Sequence, residues 1–257
     1  MEVSYRAVQV WRRDLNVYGA TWWTNAIPPI FEPILYLLAF GAGVGALIQK
    51  PIAYGGKDVP YVAFIAPGLI AVTMMFWAFF ETLYASFIRM YYQKTFDAIV
   101  ATPLSLDDVI AGEILWGATK AVGASILMLG VISFFGVLTP TALLVIPFSI
   151  LAGLFFAGLG MTFTAICPTI DSFNLPIFLF IYPMFLFGGT FFPIDVLPVW
   201  ARVVAVGLPL THVASFVRAA CLGNVDPKLW IDVAYLAAGT PVLFVLSIRL
   251  MRRRLIH

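Results

Sequence analysis

Long apolar runs alternate with short polar ones along the chain. A helix needs about 20 apolar residues to cross the hydrocarbon core of a bilayer. Runs over residues 23–48, 61–87, 109–138, 142–166, 175–192 and 229–251 meet or approach that length, so the pattern predicts six spans. Pro28, Pro29 and Pro33 fall in the first run, whose beginning is expected to be kinked. Between the runs lie a predicted loop at 49–60 with Gly55, Gly56, Lys57 and Asp58, a longer polar stretch from Arg89 to Asp108, and tight turns at Thr139-Pro140-Thr141 and 167–174.

Residues 193–223 break the pattern. Pro193, Pro198, Gly207 and Pro209 divide them into halves, 196–206 and 210–222, each too short to span. A broken pair of helices dipping into the membrane fits, because non-helical backbone is tolerated there where protein surrounds it. One further full span is the alternative, and it would change the parity of the count.

At the start, Arg6, Gln9, Arg13 and Asn16 recur on one helical face, and Val3, Ala7, Val10 and Val17 on another, with Trp11 and Tyr18 beside it. Residues 1–20 therefore read as an amphipathic helix at the headgroup level or as a helix packed on the rest of the protein. Their mixed polarity is not that of a signal peptide. Trp22 and Trp23 mark a membrane boundary. An even number of spans puts both termini on one side. That side carries Arg6, Arg12, Arg13, Arg89, Lys94, Arg249, Arg252, Arg253 and Arg254, against Lys50, Lys57, Arg202, Arg218 and Lys228 on the other. The basic bias places both termini in the cytoplasm.

Composition agrees. The 257 residues are 62% hydrophobic and 11% charged, too few charges to cover a soluble globule, where roughly 25% is usual. The expected class is an all-α polytopic membrane protein forming a single transmembrane domain over 1–257. Cys167 and Cys221 fall on opposite faces, so no disulfide is expected, and with His212 and His257 the only histidines there is no framework for a metal.

Ionisable residues inside spans are expensive and are functional candidates by default. Here they are Glu32, Glu81, Glu113 and Lys120. Glu113 and Lys120 lie about 10.5 Å apart along a helix and cannot touch, so Lys120 is expected to pair with Glu81 or Glu32, either for packing or along a substrate path. Gly41 with Gly45, and Gly117 with Ala121 and Ser125, give small-residue faces for close helix contact. The Arg89–Asp108 stretch holds Tyr91, Tyr92 and Phe96 beside Lys94 and Asp97. Ser105 with Asp107 and Asp108 reads as the start of the next helix. The stretch is either a docking surface for a partner protein or an ordinary linker helix. No phosphate-binding loop is present: Gly55-Gly56-Lys57-Asp58 lacks the spacing. Any ATP-driven function needs a second polypeptide.

Three stretches carry a family resemblance: YVAFIAPGLIA through FETLYASFIRM and QKTFDAIVATPLSLDDV to GATKA (residues 61–121), GLGMTFTAICPTIDSFN (158–174), and FLFGGTFFPIDVLPVWARVVAVGLPLTHVASFVRAACLG (185–223). On these the chain resembles the ABC-2 type permeases, most closely the NodJ-like branch, the membrane subunits of lipo-oligosaccharide exporters. The resemblance implies six spans, an N-terminal interfacial helix and a broken re-entrant helix pair on the outer face, in the bacterial inner membrane. It implies two permease copies, a homodimer, working with two ATP-hydrolysing subunits that hold the ATP and Mg; no cofactor on this chain, no enzyme activity and no nucleic-acid partner are expected. The coupling helix of the family maps to Gln93, Lys94, Thr95, Phe96 and Asp97, ended by Thr102 and Pro103. Glu81 and Arg89 match its FET…RM motif, and Arg218, with His212 of LPLTH, falls in the outer pair. The path for an amphiphile would run along the first, second and fifth spans at the dimer interface, where Phe76, Trp77, Phe80, Tyr84, Tyr182 and Phe185 would line it beside membrane lipid. A drug or natural-product exporter shares this scaffold, and an ATP-independent scaffold or ion-coupled carrier is the reading from another class.

Overall fold

The computed structural model describes residues 3–21, 27, 31, 34–48, 51–134, 136 and 138–255. Helix α1 is Ala7–Ala20 and α2 covers residues 34–47. A hairpin of β1 (Ile52–Tyr54) and β2 (Lys57–Val59) follows. Then come α3 (Tyr61–Tyr92), the short α4 (Thr95–Val100), α5 (Leu106–Ser133), α6 (Pro140–Ile166), α7 (Asp171–Phe187), α8 (Val199–Gly207), α9 (Pro209–Leu222) and α10 (Leu229–Leu255). Among the described residues, α3, α5, α6 and α10 are long and apolar enough to cross a membrane.

The hairpin corrects an all-α reading of the chain. Gly55 and Gly56 both have positive φ, 59° and 75°, the backbone that a two-residue hairpin turn needs, and it pairs Tyr54 with Lys57. Helix α3 runs past the predicted end at residue 87 to Tyr92, because its polar residues find partners inside the protein. Helix α7 stops at Phe187, short of the predicted 192, where Gly189 takes a φ of 70°. Helix α5 starts at a capping box: Ser105 Oγ accepts from the Asp108 amide at 3.1 Å and the Asp108 carboxylate from the Ser105 amide at 3.1 Å. Glu32, the prolines of the first run, Trp22 and Trp23 lie outside the described residues.

The core is built around α3, whose Phe64, Ile65, Ile70, Met74, Met75 and Phe79 are almost wholly buried. Neighbouring helices come close through small residues and hydroxyls. Thr82 Oγ1 donates to Ala157 O of α6 at 2.9 Å, and Thr164 Oγ1 of α6 donates to Thr82 O at 2.7 Å. Gly117 of α5 sits against Ala157, Thr82 and Ala78, and Gly41 and Gly45 of α2 against Val62, so both small-residue faces pack within the chain.

Two ends of the bundle are defined by contacts. At one, Arg6 donates to Pro103 O at 2.6 Å and the Ser4 amide to Asp108 at 2.6 Å. Arg252 grips Asp107 through two bonds of 2.6 and 2.7 Å, and Arg254 reaches Cys167 O at 2.6 Å. The beginning of α1, the α4–α5 connection, the end of α6 and the end of α10 therefore share one face. At the other end, the Thr139 amide donates to Cys221 O at 2.9 Å and Gly55 lies against Asn224. Cys167 and Cys221 are both free and belong to opposite ends.

Close approach at α6 gives a direct check. A Cβ added at Gly160 would lie 2.3 Å from Thr82 Oγ1 and 2.5 Å from Phe79 O, whereas Gly123 has nothing within 4 Å. Gly160→Ala is expected to lose roughly 1–3 kcal/mol from overpacking, and Gly123→Ala to gain up to about 1 kcal/mol from helix propensity. Thermal unfolding in detergent compares the two; equal melting temperatures would contradict this packing.

Candidate functional site

Three helices enclose a groove of about 520 Å³: α2 through Tyr36, α3 through Phe76, Trp77, Phe80, Glu81, Tyr84, Ala85 and Ile88, and α7 through Ile181, Tyr182 and Phe185. All six aromatic residues expected to line a path meet here. The α3 residues 76, 80 and 84 share a helical stripe, and their rings touch in sequence at 5.5 and 5.9 Å. Phe185 closes on Phe76 at 5.6 Å. Each of the three helices carries a π-helical stretch: Leu37–Val44, Glu81–Ala85 and Ile177–Ile181. Such widened turns recur at functional sites.

Among the described residues, Glu81 is the one carboxylate of the groove wall. Behind it, charges from three helices meet. Arg89 Nη1 and Nη2 reach Glu81 Oε1 at 3.2 and 3.1 Å, and Arg89 Nε reaches both oxygens of Glu113 at 3.1 and 3.0 Å. Trp116 Nε1 donates to Glu81 at 2.9 Å and Ser86 Oγ to Glu113 at 2.6 Å. Lys120 Nζ stands 3.6 Å from Glu81 and 4.3 Å over the Tyr18 ring. From α1, Arg13 spans Asp14 at 2.5 Å and Glu113 at 3.4 Å. Arg13, Arg89 and Lys120 thus balance Asp14, Glu81 and Glu113. Glu113 and Lys120 do not touch; Glu81 and Arg89 link them.

The spacing explains why sequence alone does not give this arrangement. Glu81 and Arg89 are 8 residues apart. At 3.6 residues per turn that separation overshoots two turns by about 80°. The π stretches Glu81–Ala85 and Ile88–Tyr92 take back part of the overshoot. Arg13, Asp14, Ser86 and Trp116 carry no sequence signal for the cluster beyond their polarity.

Helix α3 leads from this cluster into the exposed Tyr91–Pro103 segment. Lys94, at φ 54°, is the one non-glycine residue with positive φ among the described residues, and it turns the chain into α4. Gln93, Lys94, Asp97, Thr102 and Pro103 are exposed, as are Tyr91 and Tyr92, and Thr95 is half-buried. Phe96 differs from the expectation of a docking contact. Only 1% exposed, it anchors α4 to the core, because a six-residue helix holds its place only by burying a large apolar group. Thr102 Oγ1 donates to Ile99 O at 2.6 Å, closing the turn before Pro103.

Arg218 and His212 lie elsewhere. Arg218 of α9 is buried, donating to Phe64 O at 3.0 Å and Gly189 O at 2.8 Å with its guanidinium 3.9 Å from the Phe64 ring centre. It pins α9 to the start of α3 and to the loop after α7. His212 faces α10, with Nδ1 2.7 Å from Asp232. Among the described residues no group of His, Cys, Asp or Glu is arranged to hold a metal ion.

The family model for the ABC-2 type transporter matches residues 6–222. Nodulation protein J of Rhizobium leguminosarum bv. viciae is 35% identical over 254 residues, covering 96% of this chain and 94% of that protein. Nodulation protein J of Rhizobium leguminosarum bv. trifolii is 36% identical over 255 residues, covering 99% and 95%. The inner membrane transport permease YadH of Escherichia coli strain K12 is 22% identical over 221 residues, covering 86% and 84%.

Asp14 makes the cluster pH-dependent. Burial, then the negative charge of Glu113, push its carboxyl from the ordinary 3.8 up to about 6, against the pull of Arg89 and Arg13. Its Oδ2 has no hydrogen-bond partner. The folded chain therefore binds more protons than the unfolded chain between about pH 4 and 6, and stability falls as pH rises through that window. Asp14→Asn is expected to raise the melting temperature at pH 7 and to flatten the slope between pH 4 and 6; a lower melting temperature at pH 7 would contradict this.

Proposed function

Since the chain belongs to the ABC-2 type transporter family, we propose that it is the membrane-spanning permease subunit of an ATP-driven exporter, moving an amphiphile such as a lipo-oligosaccharide or lipid-linked glycan outward. The family implies an ABC ATPase as partner. In this reading the ATP and Mg reside on two copies of that ATPase, and two copies of this chain pair along α2, α3 and α7. The whole chain is one transmembrane domain of six spans in the bacterial inner membrane. Helix α1 lies at the cytoplasmic interface, α8 and α9 form the outer re-entrant pair, and both termini are cytoplasmic. Shared placement of α1, the α4 segment and the end of α10 on one face supports this orientation.

The observation that carries the reading is the continuity between an exposed segment and an aromatic groove. Gln93, Lys94, Thr95, Asp97, Thr102 and Pro103 form the surface on which the ATPase bears, with Tyr91 and Tyr92, while Phe96 holds α4 rigid from behind. Motion of α4 passes along α3 to Arg89, which grips Glu81 in the groove wall and Glu113 on α5. The groove changes shape when that grip shifts. Rings of Phe76, Trp77, Phe80, Tyr84, Tyr182 and Phe185 accept the acyl part or stack on sugar faces. Glu81 accepts hydrogen bonds from the polar head. A drug or natural-product permease is the alternative within the same scaffold, and the amphiphile that stimulates hydrolysis separates the two.

Co-expression with an ABC ATPase followed by reconstitution tests the proposal. The double variant Lys94→Ala, Asp97→Ala is expected to weaken ATPase capture about 5- to 30-fold, the effect of one or two kcal/mol. Tyr84→Ala is expected to lower transport while leaving capture intact. A chain that captures no ATPase, or a double variant with unchanged capture and transport, would overturn it.

A further inference from the structure

Helices α8 and α9 meet at an 83° bend. The last carbonyls of a helix have no partner within it, and at the end of α8 three in a row receive one side-chain donor each. Thr211 Oγ1 donates to Ala205 O at 2.6 Å, and Tyr235 OH of α10 to Gly207 O at 2.7 Å. Between them His212 Nε2 lies 3.0 Å from Val206 O. The other ring nitrogen, Nδ1, lies 2.7 Å from Asp232 Oδ1 of α10, and the imidazole stacks on Tyr235 at 4.1 Å. The side chains of His212 and Asp232 are only 12% and 11% exposed. Among the described residues, the charged and titratable groups around the pair are few. Tyr235 comes from α10, and Tyr54 of the hairpin is within electrostatic reach of Asp232. On α9 Arg218 directs its bonds to Phe64, Gly189 and Thr190, and on α8 Arg202 donates to Asp195 O.

We propose that His212 and Asp232 form a proton-binding site that latches the bend between α8 and α9. A carbonyl oxygen has no proton to give, so Nε2 must carry one. Nδ1 faces a carboxylate oxygen at hydrogen-bond distance, so a second proton lies between them. The closed bend therefore holds two protons on the pair. Removing one leaves either Val206 O against a bare nitrogen or the Nδ1 lone pair against a carboxylate, and one of the two bonds fails. A proton on Nδ1 facing the carboxylate is the favoured arrangement, so the bond to Val206 O is the one lost. Helix α8 then keeps two of its three side-chain caps, and its face with Val199, Trp200 and Val203, all exposed, is released to swing. The bend closes as pH falls and loosens as pH rises. The site is separate from the groove, and the latch stands whether or not the transport reading does.

Spin labels at Val203→Cys and Lys228→Cys, in the full chain in nanodiscs with Cys167 and Cys221 replaced by Ala, report the distance from α8 to α10. Pulsed dipolar spectroscopy from about pH 5 to about pH 8, the range in which histidine changes charge, is expected to show one short distance at low pH. A longer population should then rise at least about tenfold across the range, within what one proton allows per pH unit. His212→Gln keeps a donor for Val206 O without titrating, and Asp232→Asn offers an amide donor to a neutral Nδ1; both are expected to stay at the short distance throughout. A wild-type distance that does not move with pH, or a His212→Gln response equal to that of the wild type, would overturn the latch.

Discussion

The bidentate grip of Arg89 on Glu113, extended to Glu81, is the interaction on which the rest of the site depends. Three acids and three bases lie in a region otherwise built of apolar side chains, and none would be stable there alone. Breaking the buried Arg89–Glu113 pair by removing one partner costs about 3–5 kcal/mol, and Glu113, held by Arg13 of α1 and Arg89 of α3, keeps α1, α3 and α5 in register. Exposure falls from 15% for the Arg89 side chain to 0% for Glu113, so the deepest acid is the one whose partners are most fully specified.

That dependence links local chemistry to architecture. Helix α3 is both the buried centre of the bundle and the element that emerges into the Tyr91–Pro103 segment. Its π stretches rotate Glu81 and Arg89 toward one another, while the four-residue spacing of Phe76, Phe80 and Tyr84 aligns them with the groove. Small residues on α5 and α6 let their backbones approach α3 closely, so displacing it by one side chain's width is not tolerated at Gly117 or Gly160. Movement is more readily accommodated on the α2 and α7 side, where the groove is, than on the α5 and α6 side. The end of the bundle opposite Arg6 and Arg252 is pinned by Arg218 and by the caps at the end of α8.

Much of this is legible in the sequence. Apolar length gives the long helices, Ser105 with Asp108 gives the start of α5, and Pro209 after Gly207 gives the bend between α8 and α9. Periodicity gives the groove, because 76, 80 and 84 lie four apart. Polarity misleads at Arg89, whose partner Glu113 on α5 lets the helix continue, and at Phe96, whose aromatic ring looks like a contact and turns inward. The hairpin is short enough to pass for a loop. Of the charge cluster, the sequence anticipates only the Lys120–Glu81 pairing; the rest is invisible because its members come from residues 13 to 120 and meet only in three dimensions.

The most direct test of the proposed function is the number of substrate molecules moved per ATP hydrolysed when Arg89→Gln, folded, is assembled with an ABC ATPase in proteoliposomes. If Arg89 carries motion from α4 to the groove, hydrolysis continues while the ratio falls at least about tenfold, the effect of 1.4 kcal/mol. A ratio equal to that of the wild type, with the protein intact, would contradict the claim.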